Sequence, residues 1–263
     1  MRIDSSTRAI VTGASRGIGR ATAAALAARG ATVGLMARSR EPLEAAAREL
    51  AGEPIVLPAD VGERADVEVA VEEFVRQAGG LELLVANAGI AHYAPFVELP
   101  IERAEEMVRI NLLGTLYTLK TALPHMLDRA AGHIVVVASG ASLRAFPWAA
   151  TYGATKSAQS AFAEALRHEL SGTGVSVSTI FPGEIATDLH AHERDRMPDW
   201  YHADEAIPPQ RVGDAIVQAV EEDRRATYVP GIVRALGLNG IAPRLADRIL
   251  ASLRGATAAP RRD

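Results

Sequence analysis

The stretch Arg8-Ala-Ile-Val-Thr-Gly-Ala-Ser-Arg-Gly-Ile-Gly19 leads into an alanine-rich run that ends at Arg29. Its first five residues are typical of a short buried strand, its glycines of a tight turn, and residues 17–29 of a helix. A strand, a glycine turn and a helix in this order form half of a dinucleotide-binding unit. Glycines let the backbone approach a pyrophosphate, and free N–H groups at the helix start hold the anion.

The glycine spacing is G-x-x-x-G-x-G rather than G-x-G-x-x-G. Tight turns use glycine for purely structural reasons, so the spacing alone would be weak evidence. The flanking strand and helix favour the binding interpretation, because the mechanism requires them there. The cofactor residues predicted from this turn are Gly13, Ser15, Arg16, Gly17, Ile18 and Gly19.

Apolar strand-like runs alternate with helical patterns along the rest of the chain. The predicted strands cover residues 9–12, 32–36, 54–57, 83–86, 133–138, 175–180 and 227–229. The predicted helices cover residues 17–29, 42–50, 64–78, 101–129, 151–170 and 211–222. This alternation predicts one doubly wound α/β domain of the Rossmann type, with a parallel seven-stranded sheet and helices on both faces.

Five polar or turn-forming positions fall just after predicted strands: Gly13, Asp60, Asn87, Ser139 and Pro182. In open α/β sheets ligands bind at the carboxyl edge, near the switch in strand order, so five loops converge on one candidate site. Two of these residues also have a simpler explanation. Asn87 is a turn former before Ala-Gly, and Asp60 is a helix cap for the segment that follows it.

Tyr152 and Lys156 are four positions apart, and Ser139 lies thirteen residues before the tyrosine. On a helix the phenol and the ammonium share a face, and we expect the ammonium to lower the pKa of the phenol. Such a tyrosine is a general acid or base near neutral pH, and a serine hydroxyl beside it polarises a carbonyl. The simpler interpretation is a half-buried tyrosine beside a solvated lysine.

Asn111 lies inside a long helical pattern between Ile110 and Leu112. Asparagine is a poor helix former because its side chain competes for backbone hydrogen bonds. We therefore expect a kink or a bound water at this position. An exposed asparagine fits poorly between two apolar residues.

Taken together, these motifs resemble the short-chain dehydrogenase/reductase family. They appear in family order over residues 7–228, as Thr12-Gly-Ala-Ser-Arg-Gly-Ile-Gly19, Asp60-Val61, Asn87-Ala-Gly89, Asn111, Ser139, Tyr152-Gly-Ala-Thr-Lys156 and Pro182-Gly183 with Thr187. The resemblance implies hydride transfer between a nicotinamide cofactor and a carbonyl/alcohol pair, with Tyr152 as acid or base and Lys156 tuning it. Ser139 would polarise the carbonyl, and Asn111 would hold a relay water.

The resemblance also implies how the cofactor is bound. Asp60 and Val61 would touch the adenine, and the loop of Asn87, Ala88 and Gly89 would line the adenosine side. The nicotinamide and its carboxamide would be held by Pro182, Gly183, Ile185 and Thr187. Tyr152 and Lys156 complete the set, since the lysine would also bond the nicotinamide ribose. Residues 103–129 and 151–170 would pack against their copies, so we expect a homo-oligomer, a tetramer or a dimer.

The choice of cofactor depends on residues 33–39, where an NAD-type site places an acid about twenty residues after the first glycine. This stretch has no acid; Ala37 stands at the expected position, followed by Arg38 and Ser39. An arginine can pair with a 2′-phosphate, so the sequence predicts NADP(H), with Arg16 approaching from the other side. Solvated charge explains either arginine alone, and helix capping explains Ser39 as well.

Composition excludes several classes of function. The 263 residues are 48% apolar and 23% charged, with a formal charge of −4, so no basic field suggests a nucleic-acid partner. The absence of cysteine excludes disulfides and thiolate metal sites. No signal-peptide or membrane-spanning stretch is present in the sequence, so we expect a cytoplasmic enzyme. His190, His192 and His202 follow no metal motif, and we predict no metal.

The sequence does not name the substrate. We expect substrate specificity to lie in residues 91–96, 143–148 and 188–209. Residues 188–210 would form a flap over the substrate, and this flap carries His190, His192 and His202. Phe146, Pro147, Trp148, His92 and Tyr93 are either pocket walls or loop packing. Three interpretations are open for residues 230–253: they cover a second subunit interface, extend the substrate pocket or lie on a membrane surface. We expect residues 255–263 to form a frayed tail.

These expectations describe a single domain over residues 1–263 that converts a small-molecule carbonyl and its alcohol. An NAD-linked alcohol or steroid dehydrogenase is the enzymatic alternative. A non-catalytic dinucleotide sensor on the same fold is the alternative from another class, because a fold does not fix a function.

Overall fold

A computed structural model describes residues 1–187, 189 and 206–244. Its central sheet has seven strands, all parallel, in the order β3-β2-β1-β4-β5-β6-β7. The strands are β1 (Arg8–Thr12), β2 (Thr32–Ala37), β3 (Ile55–Pro58), β4 (Leu83–Ala86), β5 (Gly132–Val137), β6 (Val175–Pro182) and β7 (Ala226–Val229). The strand order reverses between β1 and β4, which is where a doubly wound sheet opens a crevice.

Helices connect the strands and cover both faces of the sheet. They are α1 (Gly17–Ala27), α2 (Arg40–Ala47), α3 (Arg64–Ala78), α4 (Ile101–Met107), α5 (Gly114–Leu127), α6 (Ala150–Glu169) and α7 (Pro209–Glu221). A π-helical turn, Val108–Leu113, joins α4 to α5, and 3₁₀ helices cover Gly140–Ser142 and Gly231–Gly240.

Alternate residues of each central strand enter separate hydrophobic cores. In β4, Leu83 and Val85 pack in the core with α1 and α7, whereas Leu84 and Ala86 pack in the core with α3, α5 and α6. All four side chains are buried, because helices cover the sheet on both sides. This double burial explains why the strands appear in the sequence as continuous apolar runs.

The predicted fold class is confirmed, and every predicted strand and helix is present with ends shifted by up to three residues. The exception is residues 101–129, predicted as one helix, which the structure divides into α4, the π turn and α5. Asn111 lies inside that π turn, so the predicted irregularity at this asparagine takes the form of a wider helical turn. The two 3₁₀ helices were not predicted.

Candidate active site

A cleft of about 1130 Å³ opens at the carboxyl ends of the strands. The loops after β1, β2, β3, β4, β5 and β6 all contribute to its wall. The predicted site residues that line it are Gly13, Ser15, Arg16, Gly17, Ile18, Ala37, Arg38, Ser39, Asp60, Val61, Asn87, Ala88, Gly89, Ser139, Tyr152, Lys156, Pro182, Gly183, Ile185 and Thr187. Gly19 and Asn111 are buried beneath this surface.

The glycine turn forms a shallow cradle at the start of α1. Gly13 has a φ of +66°, which an L side chain rarely adopts, and a Cβ added at Gly19 would lie 2.2 Å from the carbonyl oxygen of Gly13. The side chain of Arg16, at the N-cap of α1, makes no capping bond in the described structure, and the first helical residues, Gly17 and Ile18, line the cleft. Open N–H groups next to a close backbone approach fit the pyrophosphate of a dinucleotide.

Thr12 and Asn87 hold the glycine turn against the loop after β4. The amide nitrogen Nδ2 of Asn87 donates to the carbonyl oxygen of Thr12 at 2.9 Å. The hydroxyl of Thr12 accepts hydrogen bonds from the backbone N–H groups of Asn87 and Ala88, at 3.0 and 2.9 Å. Asn87 thus acts as more than a turn former, and the buried Thr12 is a positioning residue that the sequence interpretation did not single out.

Two basic side chains lie at the opening of the cleft, at the end where the adenosine would bind. Arg16 and Arg38 are exposed and line it, and among the described residues neither guanidinium contacts a carboxylate. Ala37, the last residue of β2, leaves room where an acid would stand in an NAD-type site. Ser39 occupies the N-cap position of α2, but its side chain makes no capping bond.

Asp60 closes a turn after β3. Its Oδ1 accepts the backbone N–H of Gly62 at 2.8 Å, and its Oδ2 lies 3.6 Å from Nη1 of Arg109. The N-cap of α3 is Glu63, so the helix-cap explanation for Asp60 is wrong. Arg109 belongs to the π turn and therefore ties the loop after β3 to the element that carries Asn111.

Tyr152 and Ser139 form the candidate catalytic pair. Tyr152 lies in the first turn of α6, where it is buried beside the ring of Tyr93 at 5.9 Å between centroids. Burial raises the pKa of Tyr152, and a hydrogen bond with the Ser139 hydroxyl acts in the opposite direction. The backbone holds Ser139 in place, because its hydroxyl oxygen accepts the N–H of Ala141 at 3.1 Å.

Lys156 lies one helical turn after the tyrosine, on the same face of α6. Its ammonium is 6.0 Å from the centroid of the Tyr152 ring and donates to the carbonyl oxygen of Val137 at 2.9 Å. Burial lowers the pKa of Lys156 to about 8. The shared face is confirmed. The expected lowering of the phenol pKa by the ammonium is wrong for this structure, because desolvation of the phenol is the largest influence on it.

Asn111 is fully buried and contacts the loop after β4. A Cβ added at Gly89 would lie 3.2 Å from Oδ1 of Asn111 and 3.5 Å from Nζ of Lys156, so these residues meet at one point. The amide of Asn111 also donates to the hydroxyl of Thr155 at 3.1 Å, and that hydroxyl donates to the carbonyl oxygen of Tyr152 at 2.8 Å. The π turn is thereby linked to the helix that carries the tyrosine.

Gln159 is a second positioning residue that the sequence interpretation did not include. Its Nε2 donates to the backbone oxygen of Asn111 at 2.8 Å and to the hydroxyl of Thr115 at 2.6 Å. Its Oε1 is buried and has no hydrogen-bond partner among the described residues. The spacing of Tyr152, Lys156 and Gln159 along α6 places all three on one face, which is the signal that identifies it.

The substrate side of the cleft is largely apolar. Tyr93 and Phe146 line it, as proposed for these two residues, together with the 3₁₀ segment after β7. His92, Pro147 and Trp148 are not among its described lining residues, and the ring of His92 instead lies 3.5 Å from a carboxylate oxygen of Glu106. Most of the predicted flap and all of the predicted tail lie outside the described residues, as do His190, His192 and His202.

The described residues form no metal site and no membrane-spanning helix. In residues 1–187, 189 and 206–244 there is no group of three or more histidine, aspartate or glutamate side chains placed to hold a metal ion. Within the same part of the chain, every helix is too short or too polar to cross a membrane.

The chain is similar to proteins of one family. The family profile described as short chain dehydrogenase matches residues 7–198. An uncharacterized oxidoreductase of Staphylococcus aureus is 32% identical over 219 residues, which cover 82% of this chain and 91% of the relative.

Two solved structures extend the comparison. A short-chain dehydrogenase/reductase from Burkholderia phymatum, in complex with NAD, superposes with a TM-score of 0.85 at 24% identity and covers 93% of this chain and 96% of its own. The alcohol dehydrogenase of the archaeon Thermococcus sibiricus, complexed with 5-hydroxy-NADP, has a TM-score of 0.74 at 30% identity, with coverage of 84% and 94%. Because the family profile matches residues 7–198 and the Staphylococcus aureus relative is 32% identical over 82% of the chain, the chain belongs to the short-chain dehydrogenase/reductase family of oxidoreductases.

Proposed function

We propose that the protein is an NADP(H)-dependent oxidoreductase that reduces a carbonyl compound to its alcohol and catalyses the reverse oxidation. The observation that carries the proposal is the buried Tyr152, hydrogen-bonded to Ser139 at the floor of an open cleft. Because burial raises the pKa of this phenol, the neutral form predominates at neutral pH. The neutral phenol is the proton donor that carbonyl reduction needs.

Each side chain of the site has a distinct task in this reaction. The Ser139 hydroxyl donates a hydrogen bond to the substrate carbonyl oxygen as negative charge develops there. Tyr152 gives its proton to the same oxygen, and Lys156, one helical turn further on, would hydrogen-bond the ribose of the nicotinamide. In the oxidative direction the phenolate takes the proton back. The nicotinamide cofactor supplies the hydride chemistry when bound.

The cradle of the glycine turn would hold the pyrophosphate, and Arg16 and Arg38 would hold the 2′-phosphate of NADP(H). Two exposed guanidinium groups line the cleft without a carboxylate partner among the described residues, and such groups favour a phosphate monoester. The Thermococcus sibiricus structure, with its bound NADP derivative, agrees with this assignment. The NAD complex of the Burkholderia phymatum protein keeps an NAD-linked dehydrogenase as the second candidate.

The deciding experiment measures turnover and binding separately. The purified protein is assayed with ketones, aldehydes, quinones and secondary alcohols against both NADP(H) and NAD(H), while calorimetry measures the affinity for each cofactor. We expect NADPH-dependent reduction of at least one carbonyl class. Tight cofactor binding with no turnover across the panel would instead establish the non-catalytic sensor.

A further inference from the structure

The 3₁₀ segment Gly231–Gly240 forms an apolar wall that starts beside the candidate catalytic serine. Val233 and Leu236 pack in a hydrophobic cluster with Ala138 and Phe181, at the ends of β5 and β6. A Cβ added at Gly140, the residue after Ser139, would lie 3.2 Å from Cδ1 of Leu236. The inner end of the wall therefore lies next to the point where the substrate carbonyl would bind.

Polar contacts hold this wall in place. The guanidinium of Arg144, in the loop after Ser139, donates to Oδ1 of Asn239 at 2.7 Å. Just before the segment, the N–H of Gly183 donates to the carbonyl oxygen of Val229, the last residue of β7, at 2.8 Å. Two loops of the candidate active site therefore fix the segment, so its position relative to the reacting atoms is defined.

A second face of the wall leaves apolar surface uncovered inside the cleft. Ile232 and Leu238 line the cleft, yet their exposed fractions are 75% and 52%. Tyr93, Phe146 and Leu189 line the substrate side as well. Because burying apolar area is favourable, a ligand that covers this surface gains affinity in proportion to its length.

The shape of the wall favours a chain over a compact group. Leu238 lies five positions after Val233, and a rise of about 2 Å per residue gives roughly 10 Å of apolar surface. Its five cleft-lining side chains are uncharged, namely Ile232, Val233, Ala235, Leu236 and Leu238.

We propose that this wall is the subsite for an extended aliphatic arm, so the substrate is a carbonyl compound that carries an alkyl chain of several carbons. The inference rests on the proposed reductase function and adds to it the substrate class. Of the interpretations that the sequence left open for residues 230–253, it selects the extension of the pocket.

The test uses methyl ketones of increasing length, from 2-butanone to 2-nonanone, with NADPH and the full chain. We expect kcat/KM to rise about threefold to fourfold per added methylene, the factor that corresponds to burying one such group. Calorimetric Kd values for the same ketones should fall in parallel, which gives a measure of the wall that needs no turnover.

Variants then locate the effect. The double substitution Ile232→Ser and Leu238→Ser replaces the exposed outer wall, where the fold needs these side chains least. We expect it to lower the ratio of kcat/KM for 2-nonanone to kcat/KM for 2-butanone by about tenfold or more. Ile241→Ser is the matched control, because Ile241 is 84% exposed and adjacent to the segment but is not among the cleft-lining residues.

Two results would overturn the inference. One is equal activity and affinity across the ketone series in the unmodified protein. The other is an unchanged chain-length dependence in the double variant; if that variant also changes its mass in light scattering or its binding to phospholipid vesicles, the wall is an interface or a membrane contact instead. If none of the carbonyl classes in the panel is reduced, the proposed function fails, and the calorimetric series still decides whether the wall binds an alkyl chain.

Discussion

Asn111 binds both backbone groups of Ile90: its Oδ1 accepts the N–H at 2.8 Å, and its Nδ2 donates to the carbonyl oxygen at 2.9 Å. This reciprocal contact joins the π turn to the loop after β4, on which Asn87, Ala88 and Gly89 line the cleft. A fully buried amide that satisfies two backbone groups is hard to replace, because any other side chain leaves one of them without a partner.

We expect Asn111→Asp to lower the free energy of unfolding, although the two side chains have nearly the same size. The carboxylate keeps an acceptor for the N–H of Ile90 but turns a second oxygen toward the Ile90 carbonyl and the Thr155 hydroxyl. Losing one buried donor costs about 1–3 kcal/mol of the free energy of unfolding, and burying an unpaired charge adds to that cost. Urea denaturation measures the loss. Arg103→Ala, at an exposed position of α4, is the control. Unchanged stability in Asn111→Asp would show that this contact with Ile90 is dispensable.

The sequence predicts those parts of the site that depend on strand ends. Gly13, Asn87 and Ser139 follow β1, β4 and β5, and a parallel sheet brings the carboxyl ends of its strands to one edge. The positions of the loops therefore follow from the alternation of strands and helices, without any knowledge of side-chain contacts.

Contacts between elements could not be predicted in this way. Thr12 and Gln159 act through partners 75 and 48 positions away in the chain, and no local pattern encodes such a distance. The pKa of Tyr152 was expected to fall because its helical neighbour is visible in the sequence, whereas the burial that raises it depends on Tyr93 and the rest of the fold. The 3₁₀ segment is tied to the loop after β5 by the contact of Arg144 with Asn239, 95 positions away, so its place in the cleft wall became clear only from the structure.

Replacing Tyr152 by phenylalanine should abolish most turnover. Tyr152→Phe keeps the ring against Tyr93 and removes the proton donor, so we expect kcat to fall by at least ~10²-fold, the scale of a positioned acid. Affinity for NADPH, measured by calorimetry, should change little. Lys156→Ala is the comparison. Since the lysine would also bond the nicotinamide ribose, we expect this variant to lose both turnover and cofactor affinity. A Tyr152→Phe protein that turns over at nearly the unmodified rate would refute the assignment.

Acid sensitivity should come in part from His133, which is buried in β5. Its Nε2 lies 2.8 Å from the hydroxyl of Ser178, and burial lowers the pKa of His133 to about 4. The unfolded chain has a histidine pKa near ~6.5 and binds the proton first as pH falls, so the free energy of unfolding decreases between about pH 6.5 and 4. At about pH 4.5 the loss from this residue is on the order of 2–3 kcal/mol.

The variant His133→Gln tests whether His133 causes this loss of stability in acid, because the glutamine amide keeps a donor for Ser178 and does not titrate. Urea denaturation at several pH values should show a shallower decrease for the variant between about pH 6.5 and 4.5. Identical slopes for the two proteins would remove His133 from the explanation.

We expect self-association to involve the surface around α4 in addition to residues 103–129 and 151–170, which the family resemblance indicates. Phe96, Val97, Ile101 and Val108 are 67%, 75%, 58% and 39% exposed, an uncommon concentration of apolar side chains on a free surface. We expect light scattering at micromolar concentration to give a dimer or tetramer, and Ile101→Glu to shift it toward the monomer. Val69→Glu, at a 71% exposed apolar position of α3, should leave the mass unchanged. A monomeric unmodified protein would contradict the expectation.

NADPH should bind more tightly than NADH, and Arg38 should be the reason. It is the residue after β2, it lines the cleft, and the described part of the chain offers its guanidinium no carboxylate. The 2′-phosphate is the one group that distinguishes the two cofactors, and a charge-assisted hydrogen bond to it contributes about 1.5–3 kcal/mol. We therefore expect Arg38→Ala to raise the KM for NADPH by roughly tenfold to a hundredfold while NADH kinetics stay nearly constant.

Arg40→Ala is the matched control for this prediction. Arg40 is exposed two positions further on, but it pairs with Glu44 at 3.6 Å and is not among the described residues of the cleft wall. A general loss of positive charge would affect both variants alike, whereas a direct contact with the 2′-phosphate affects only Arg38. Adding Arg16→Ala to Arg38→Ala should bring the two cofactors to similar affinity, because the opposite side of the phosphate then also loses its partner. Tighter binding of NADH by the unmodified protein would overturn the assignment and favour the NAD-linked dehydrogenase.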